Sequence, residues 1–266
     1  MKKYELTTEC KKFLGRTLYR IKALTSFSDV KEGDLGGWIE KEENLSQEGN
    51  AMVYDNAMVY GNAWVSGNAR VNDNATVSDD AWLYDNSKVY GNSQVSGNAR
   101  VYGNARVSDD ALVCGSAQVY GNAQIFGIAI VCDSTRVFGD AVVFDNARIF
   151  SNAMVYDDAK VCGNAVVYGN AMVCDNAEIK KKTHLLEIGF IGSRDDVTTF
   201  FRTKDKGIFV KCGCFKGNID EFEKQVQKVH GDDKHGRVYA LAIAMAREQI
   251  ELDDEDVEAE NGKTDC

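Results

Sequence analysis

VSGNARVYGNAR, residues 95–106, writes one six-residue phrase twice. Read outward from here, the phrase continues in both directions. A small residue is followed two places later by an aliphatic at Ala51/Val53, Ala57/Val59 and Ala63/Val65, and so on without a gap to Ala177/Ile179, giving 22 hexads. The aliphatic is Val, Leu or Ile every time, and the small residue departs from Ala only at Ser87, Ser93 and Thr135. A period of six has a physical reading. In an extended chain alternate side chains face opposite ways, so the valine points in and its two neighbours point out. Between valine and alanine stand Gly or Asp, then usually Asn or Asp, residues that tolerate the left-handed dihedrals of a corner. Each hexad is thus a short strand and a corner, and three corners close a triangle of 18 residues. Stacked at about 4.8 Å per coil, the hexads predict about seven coils of parallel strands, roughly 35 Å of prism.

Composition bounds the function. The chain has 266 residues and a formal net charge of −10, which disfavours general binding to nucleic acid. No apolar run approaches a membrane span, and MKKYELTTECKKF at the start has no apolar signal core. The expectation is a cytoplasmic protein with no membrane contact. The eight cysteines are scattered apart from the C-x-C of Cys212 and Cys214, which is neither a redox motif nor half a zinc signature. Reduced, structural thiols are expected in that compartment. Proline is absent, as suits a backbone whose donors are engaged in continuous ladders.

Residues 1–50 differ from the repeat: TLYRIKALTSF (17–27) alternates like a strand and GDLGGWIEKEENLSQ carries turn signals. A solenoid needs its open end covered, so this segment reads as an N-terminal β cap. The repeat occupies 51–182. Beyond it HLLEIGFIG, TTFFRTK and GIFVKCGCF read as strands, IDEFEKQVQKVHG as a helix capped by Asn218, and GRVYALAIAMAREQIEL as a second helix. Residues 183–252 therefore form a small α+β domain, and the acidic tail 253–266 reads as disordered.

The pattern aliphatic-x-x-x-small-x over 51–182 resembles the hexapeptide repeats of left-handed parallel β-helix proteins, and the left hand is implied by that resemblance alone. The stretch SDVKEGDLGGWIEKEENLSQEGNAMVYDNA (28–57) is similar to the start of bacterial and prophage hexapeptide-repeat proteins of the putative-transferase type. The fold class is thus an all-β left-handed parallel β-helix with an N-terminal β cap and a small C-terminal α+β domain. The resemblance also implies a homotrimer and, if the chain is phage-encoded, the host cytoplasm.

The inward positions build the prism, so function must use the outward ones. One face carries Tyr84, Tyr102, Tyr120, Phe138 and Tyr156 after the aliphatics, with Trp64, Trp82, Arg100 and Arg136 before them. Aromatic residues and arginine are enriched at interfaces, and the stripe reads as a subunit contact; stacking between neighbouring strands within one chain is the alternative. A second face holds Arg70, Lys88, Arg106 and Lys160, read as solvated. The third places Cys114 and Cys132 one coil apart, where free thiols are expected.

Many proteins of the resembled class are acyltransferases that use a histidine on the coil, and others are carbonic anhydrases that hold zinc with three. Here the histidines are His184, His230 and His235, none lies within 51–182, and no loop interrupts the hexads. The expectation is a protein that is not an enzyme, with no catalytic residue, metal or cofactor. The sharper constellation lies in the C-terminal domain, where Ser193, Arg194, Arg202, Lys204 and Lys211 could converge on a small anionic ligand. The leading reading is a non-catalytic oligomeric scaffold presenting these domains, in one version a phage protein sequestering a nucleotide-like anion. The alternatives are an acyltransferase-like enzyme with an inter-subunit site using His184 or His230, and a structural assembly protein.

Overall fold

The hexads fold as their alternation requires. The computed structural model describes residues 2–253. Strands β1 (Tyr4–Phe13), β2 (Arg16–Ala23) and β3 (Leu35–Ile39) are followed by 22 two-residue strands, β4 (Met52–Val53) to β25 (Glu178–Ile179). Each pairs in parallel with the strand three later, so that Val101 lies against Val119 and Val119 against Val137. The result is a parallel β-solenoid with three sheets, one per side of the triangle. Val101, Ala105, Val107 and Ala111 are fully buried, as are their equivalents in every coil. The alanine must be small because it stands at the corner of a narrow prism already filled by valines.

The solenoid has about eight turns rather than seven. The extra turn begins in the segment read as cap: β3 pairs in parallel with β5 (Met58–Val59), and Leu45 bridges Val65. Ile39 and Leu45 are buried as first-coil aliphatics. Gly37 takes the small position of this turn because a Cβ there would stand 2.7 Å from the Ala57 carbonyl. The remaining cap covers the open end. Tyr4, fully buried, donates its hydroxyl to the carbonyls of Leu45 (2.7 Å) and Glu42 (2.9 Å). The Lys3 ammonium donates to the Ala51 carbonyl at 2.9 Å, and burial pushes its pKa down to about 8. Backbone acceptors that would otherwise be an unpaired edge are thereby satisfied.

The corners are held by side chains as well as backbone. Gly or Asp stands there at positive φ, for example Asp73 (59°), Gly91 (71°) and Asp109 (57°), with Ser151 (65°) at one corner. At seven of these aspartates (Asp55, Asp73, Asp79, Asp85, Asp109, Asp133 and Asp145) the carboxylate accepts the N–H of the residue one coil on, as from Gly91 to Asp73 at 2.9 Å and from Gly127 to Asp109 at 3.0 Å. Beside them Asn50, Asn68, Asn86 and Asn104 form a ladder in which each amide donates to the next. The turn aspartates are structural by this geometry.

The outward aromatics stack within the chain. Tyr84, Tyr102, Tyr120, Phe138 and Tyr156 lie face to face at 4.8–5.0 Å, with interplanar angles of 2–6°. Each ring has a partner one coil away, so the stripe read as a subunit contact does not require a second subunit. Of the basic face, Arg70 forms an ion pair with Asp29 of the cap at 2.8 Å, while Lys88, Arg106 and Lys160 are exposed. The expectation of free thiols at Cys114 and Cys132 is corrected: the two are joined by a disulfide, with Cα atoms 4.6 Å apart. Register brings residues 18 apart side by side, and two cysteines in that register meet.

Beyond the solenoid, β26 (Leu185–Ile191), β27 (Asp196–Arg202), β28 (Ile208–Cys212) and β29 (Phe215–Asn218) form an antiparallel sheet in chain order. Two helices follow, α1 (Ile219–His230) and α2 (Lys234–Gln249). Asn218 caps α1 in a capping box with Glu221. Strand β27 is covered on both faces. Phe200 enters a core with Val210, Phe222 and Ile243, whereas Phe201 joins the solenoid core. At the strand's end Arg202 is fully buried against the last coil, 2.9 Å from the Glu178 carboxylate. Of the acidic segment 253–266, only Asp253 is among the described residues. No helix among them is long and apolar enough to cross a membrane.

Candidate ligand site in the C-terminal domain

Between the β26–β27 turn, the β28–β29 turn and helix α1 lies a cleft of about 250 Å³. Ser193 and Arg194 enter it from the first turn, Cys212 and Cys214 from the second, His230 from the end of α1 and Tyr239 from α2. The first turn needs glycine: at Gly192 φ is +79°, and a Cβ would fall 1.8 Å from the Tyr239 hydroxyl. This close approach lets the phenol reach the cleft floor. Burial pushes the Tyr239 pKa well above its ordinary value, so the hydroxyl stays protonated, with the Cys212 sulfur at 3.6 Å. Cys212 in turn accepts from the Thr198 hydroxyl at 3.1 Å.

Arg194 supplies the positive charge. Its Nη1 stands 4.0 Å from the Cys214 sulfur, and the Asp196 carboxylate lines the same wall. His230 stands in the same cleft with its Nδ1 3.5 Å from the Asp233 carboxylate. Asp233 is itself fixed as the N-cap of α2, accepting from the Gly236 N–H at 2.8 Å, and this bond holds its carboxyl below the usual range.

The five residues expected to converge on a ligand do not all meet. Ser193 and Arg194 share the cleft. Arg202 is corrected to a buried junction residue: Nη1 is on Glu178 and Nε donates to the Leu252 carbonyl at 3.2 Å. Lys204 lies against the solenoid, in an acidic depression with Asp140, Asp158 and Glu178. Lys211 donates to the Gly213 carbonyl and so braces the second turn. The two histidines of the inter-subunit reading also separate. His184 is fully buried, its Nδ1 accepting from the Lys180 N–H at 3.2 Å, and burial with the nearby Arg202 pushes its pKa down. Only His230 of these two reaches the cleft. Sequence reasoning missed Tyr239, Cys212 and Cys214 as lining residues.

A second grouping, Asp157, Cys174 and Asp175, brings ligand-type atoms within 4.8 Å of one another. Burial pushes the Cys174 thiol up to about 11.

The repeat is similar to known proteins. The YdcK beta solenoid repeat family matches residues 51–67, 63–79, 93–106, 99–115 and 105–121. An uncharacterized acetyltransferase of Escherichia coli (strain K12), YdcK, is 39% identical over 62 residues. That match covers 20% of this chain and 19% of the relative, so the chain matches about a fifth of that protein's length. The family match lies within the β-solenoid. The expectation that the protein is not an enzyme is corrected by this relative, which carries the name of an acetyltransferase although its solenoid repeat is of the same kind. Absence of histidine from the coils is not an argument against catalysis when a histidine cleft exists elsewhere in the chain.

Proposed function

We propose that the protein is an acyltransferase-type β-solenoid whose C-terminal domain binds a small anionic acceptor in the Arg194 cleft. The single observation that carries this reading is the placement of His230, with Asp233 on its Nδ1, in one cleft with a guanidinium and a protonated phenol. Acyl transfer needs these three functions. Arg194 holds the carboxylate or phosphate of the acceptor. His230 takes a proton from the attacking amine or hydroxyl, which adds to the thioester carbonyl. The Tyr239 hydroxyl donates to the oxyanion, and collapse of the intermediate expels the thiolate. A cleft of about 250 Å³ fits the acceptor and the acyl end of a thioester, with the bulk of the donor outside. The solenoid acts as the rigid support, and the name of the relative supports acetyl as the acyl group.

Acetyl-CoA consumption, followed by mass spectrometry with a panel of amino-sugar phosphates and amino acids, tests the reading. His230→Gln lowers kcat by about 10²–10⁴-fold. Arg194→Ala raises KM for the acceptor, and Lys204→Ala, outside the cleft, leaves both unchanged. Turnover that survives His230→Gln contradicts the assignment, as does tight nucleotide binding with no turnover of any acceptor.

A further inference from the structure

The solenoid carries a second recess, on residues that the C-terminal site does not use. Trp64 and Trp82 stand one above the other on β6 (Trp64–Val65) and β9 (Trp82–Leu83). Their register would allow the parallel stacking seen in the tyrosine column, where Tyr84 and Tyr102 are 4.8 Å apart at 6°. The indoles instead stand at 74° to one another with centroids 5.6 Å apart. They remain 37% and 43% exposed, which leaves indole surface facing solvent. The recess between them measures about 350 Å³, and Gly67, Tyr84, Asp85 and Arg100 complete it.

Its polar groups are arranged around the aromatic corner. Arg100, one coil on, holds its guanidinium over the Trp82 ring at 5.4 Å and lines the same recess. Asp85 uses Oδ2 to accept the Gly103 N–H at 3.1 Å, and its Oδ1 has no protein partner among the described residues. The apolar surface is short. The same column continues as Arg100, Gln118 and Arg136, so only two coils offer indole faces. That extent is sized for one or two rings and not for a subunit contact.

We propose that the Trp64/Trp82 corner is a binding site for a neutral sugar ring of a glycan. A pyranose presents a C–H face to an aromatic ring and hydroxyls around its edge. The indoles take the face, Asp85 Oδ1 accepts a hydroxyl, and the Arg100 guanidinium donates to another. Charge separates this ligand from a nucleotide, which could also stack. Asp85 and Arg100 stand on the same recess wall and offset one another, so the recess offers no net positive charge to hold a phosphate, whereas the hydroxyls of a neutral polyol can use both groups.

The test is titration of the full chain with cellotriose, maltotriose and chitotriose, by calorimetry and by indole emission. Trp38, the third tryptophan, is only 7% exposed and remains silent. At least one trisaccharide is expected to bind saturably, with little change in affinity between low and high salt. Trp64→Ala and Trp82→Ala each weaken that binding about tenfold or more. Both positions are on the surface, and far-ultraviolet circular dichroism confirms that the variants fold. No saturable signal with any of the three sugars overturns the proposal. So does unchanged affinity in both variants, or binding of uridine monophosphate in preference to the sugars. These readouts are independent of acetyl-CoA turnover, so this site and the Arg194 cleft can fail separately.

Discussion

Replacing Gly91 tests how the corners are built. Gly91 lies at φ +71° between Asp73 below and Asp109 above. A Cβ added there meets the Asp109 backbone nitrogen at 2.8 Å and the Asp109 carbonyl oxygen at 3.0 Å. Gly91→Ala therefore combines left-handed strain, about 1–2 kcal/mol, with a backbone contact that forces the next coil to shift. Gly91→Asp introduces the same Cβ but adds a carboxylate that can accept the Asp109 N–H, as Asp73 accepts that of Gly91 at 2.9 Å. A bond to a charged acceptor contributes about 1.5–3 kcal/mol, enough to offset the strain. The expected order of stability is wild type and Gly91→Asp together, with Gly91→Ala at least about 1–2 kcal/mol lower. At about 2–4 °C per kcal/mol for a chain of this size, thermal unfolding by circular dichroism resolves the difference. Equal melting of Gly91→Ala and wild type, or a Gly91→Asp protein no more stable than the alanine variant, refutes the reasoning.

Tyr102→Ala removes two stacked partners, Tyr84 and Tyr120, and lowers stability by about 1–3 kcal/mol; native mass spectrometry should show the wild-type stoichiometry, and a change would place the column in a subunit contact. Glu178→Ala removes the carboxylate 2.9 Å from the buried Arg202 guanidinium and destabilises the junction by about 1.5–3 kcal/mol, read as faster proteolytic release of the C-terminal domain from the solenoid. The pH dependence follows from His184, whose folded pKa lies below the ordinary 6.5, so that the unfolded chain binds its proton first. Stability contributed by the neutral imidazole is full above about 6.5 and is lost as pH falls from there toward the folded value. Melting curves from pH 8 to pH 5 should show this loss, and His184→Asn should flatten it.

The solenoid was legible because its two inward positions answer to sterics alone: nothing larger than Thr135 fits the corner, and nothing but Val, Leu or Ile fills the strand. The first turn was not legible. Glu43 stands where a small residue was expected before Leu45, and two extra residues separate Leu45 from Val53, so the period breaks while the pairing continues. At Cys114 and Cys132 the adjacency was readable and the chemistry was not, because the expectation of thiols came from the supposed compartment and not from the register. In the C-terminal domain, Ser193 and Arg194 of the Gly-Ser turn line one cleft. Arg202 was grouped with the turn cations because it stands at a strand end beside them in sequence, whereas β27 is covered by helices on one side and by the last coil on the other. Tyr239 and His230 reach the cleft only through the packing of α1 and α2, which no local pattern encodes.

Amide hydrogen exchange of the full chain, with and without acetyl-CoA and an accepted acyl acceptor, tests the central claim most directly. The account predicts ligand-dependent protection at 192–196, 212–214 and 225–230, the three segments that wall the Arg194 cleft, with the solenoid corners unchanged. Protection confined to the solenoid, with none in those segments, would contradict it.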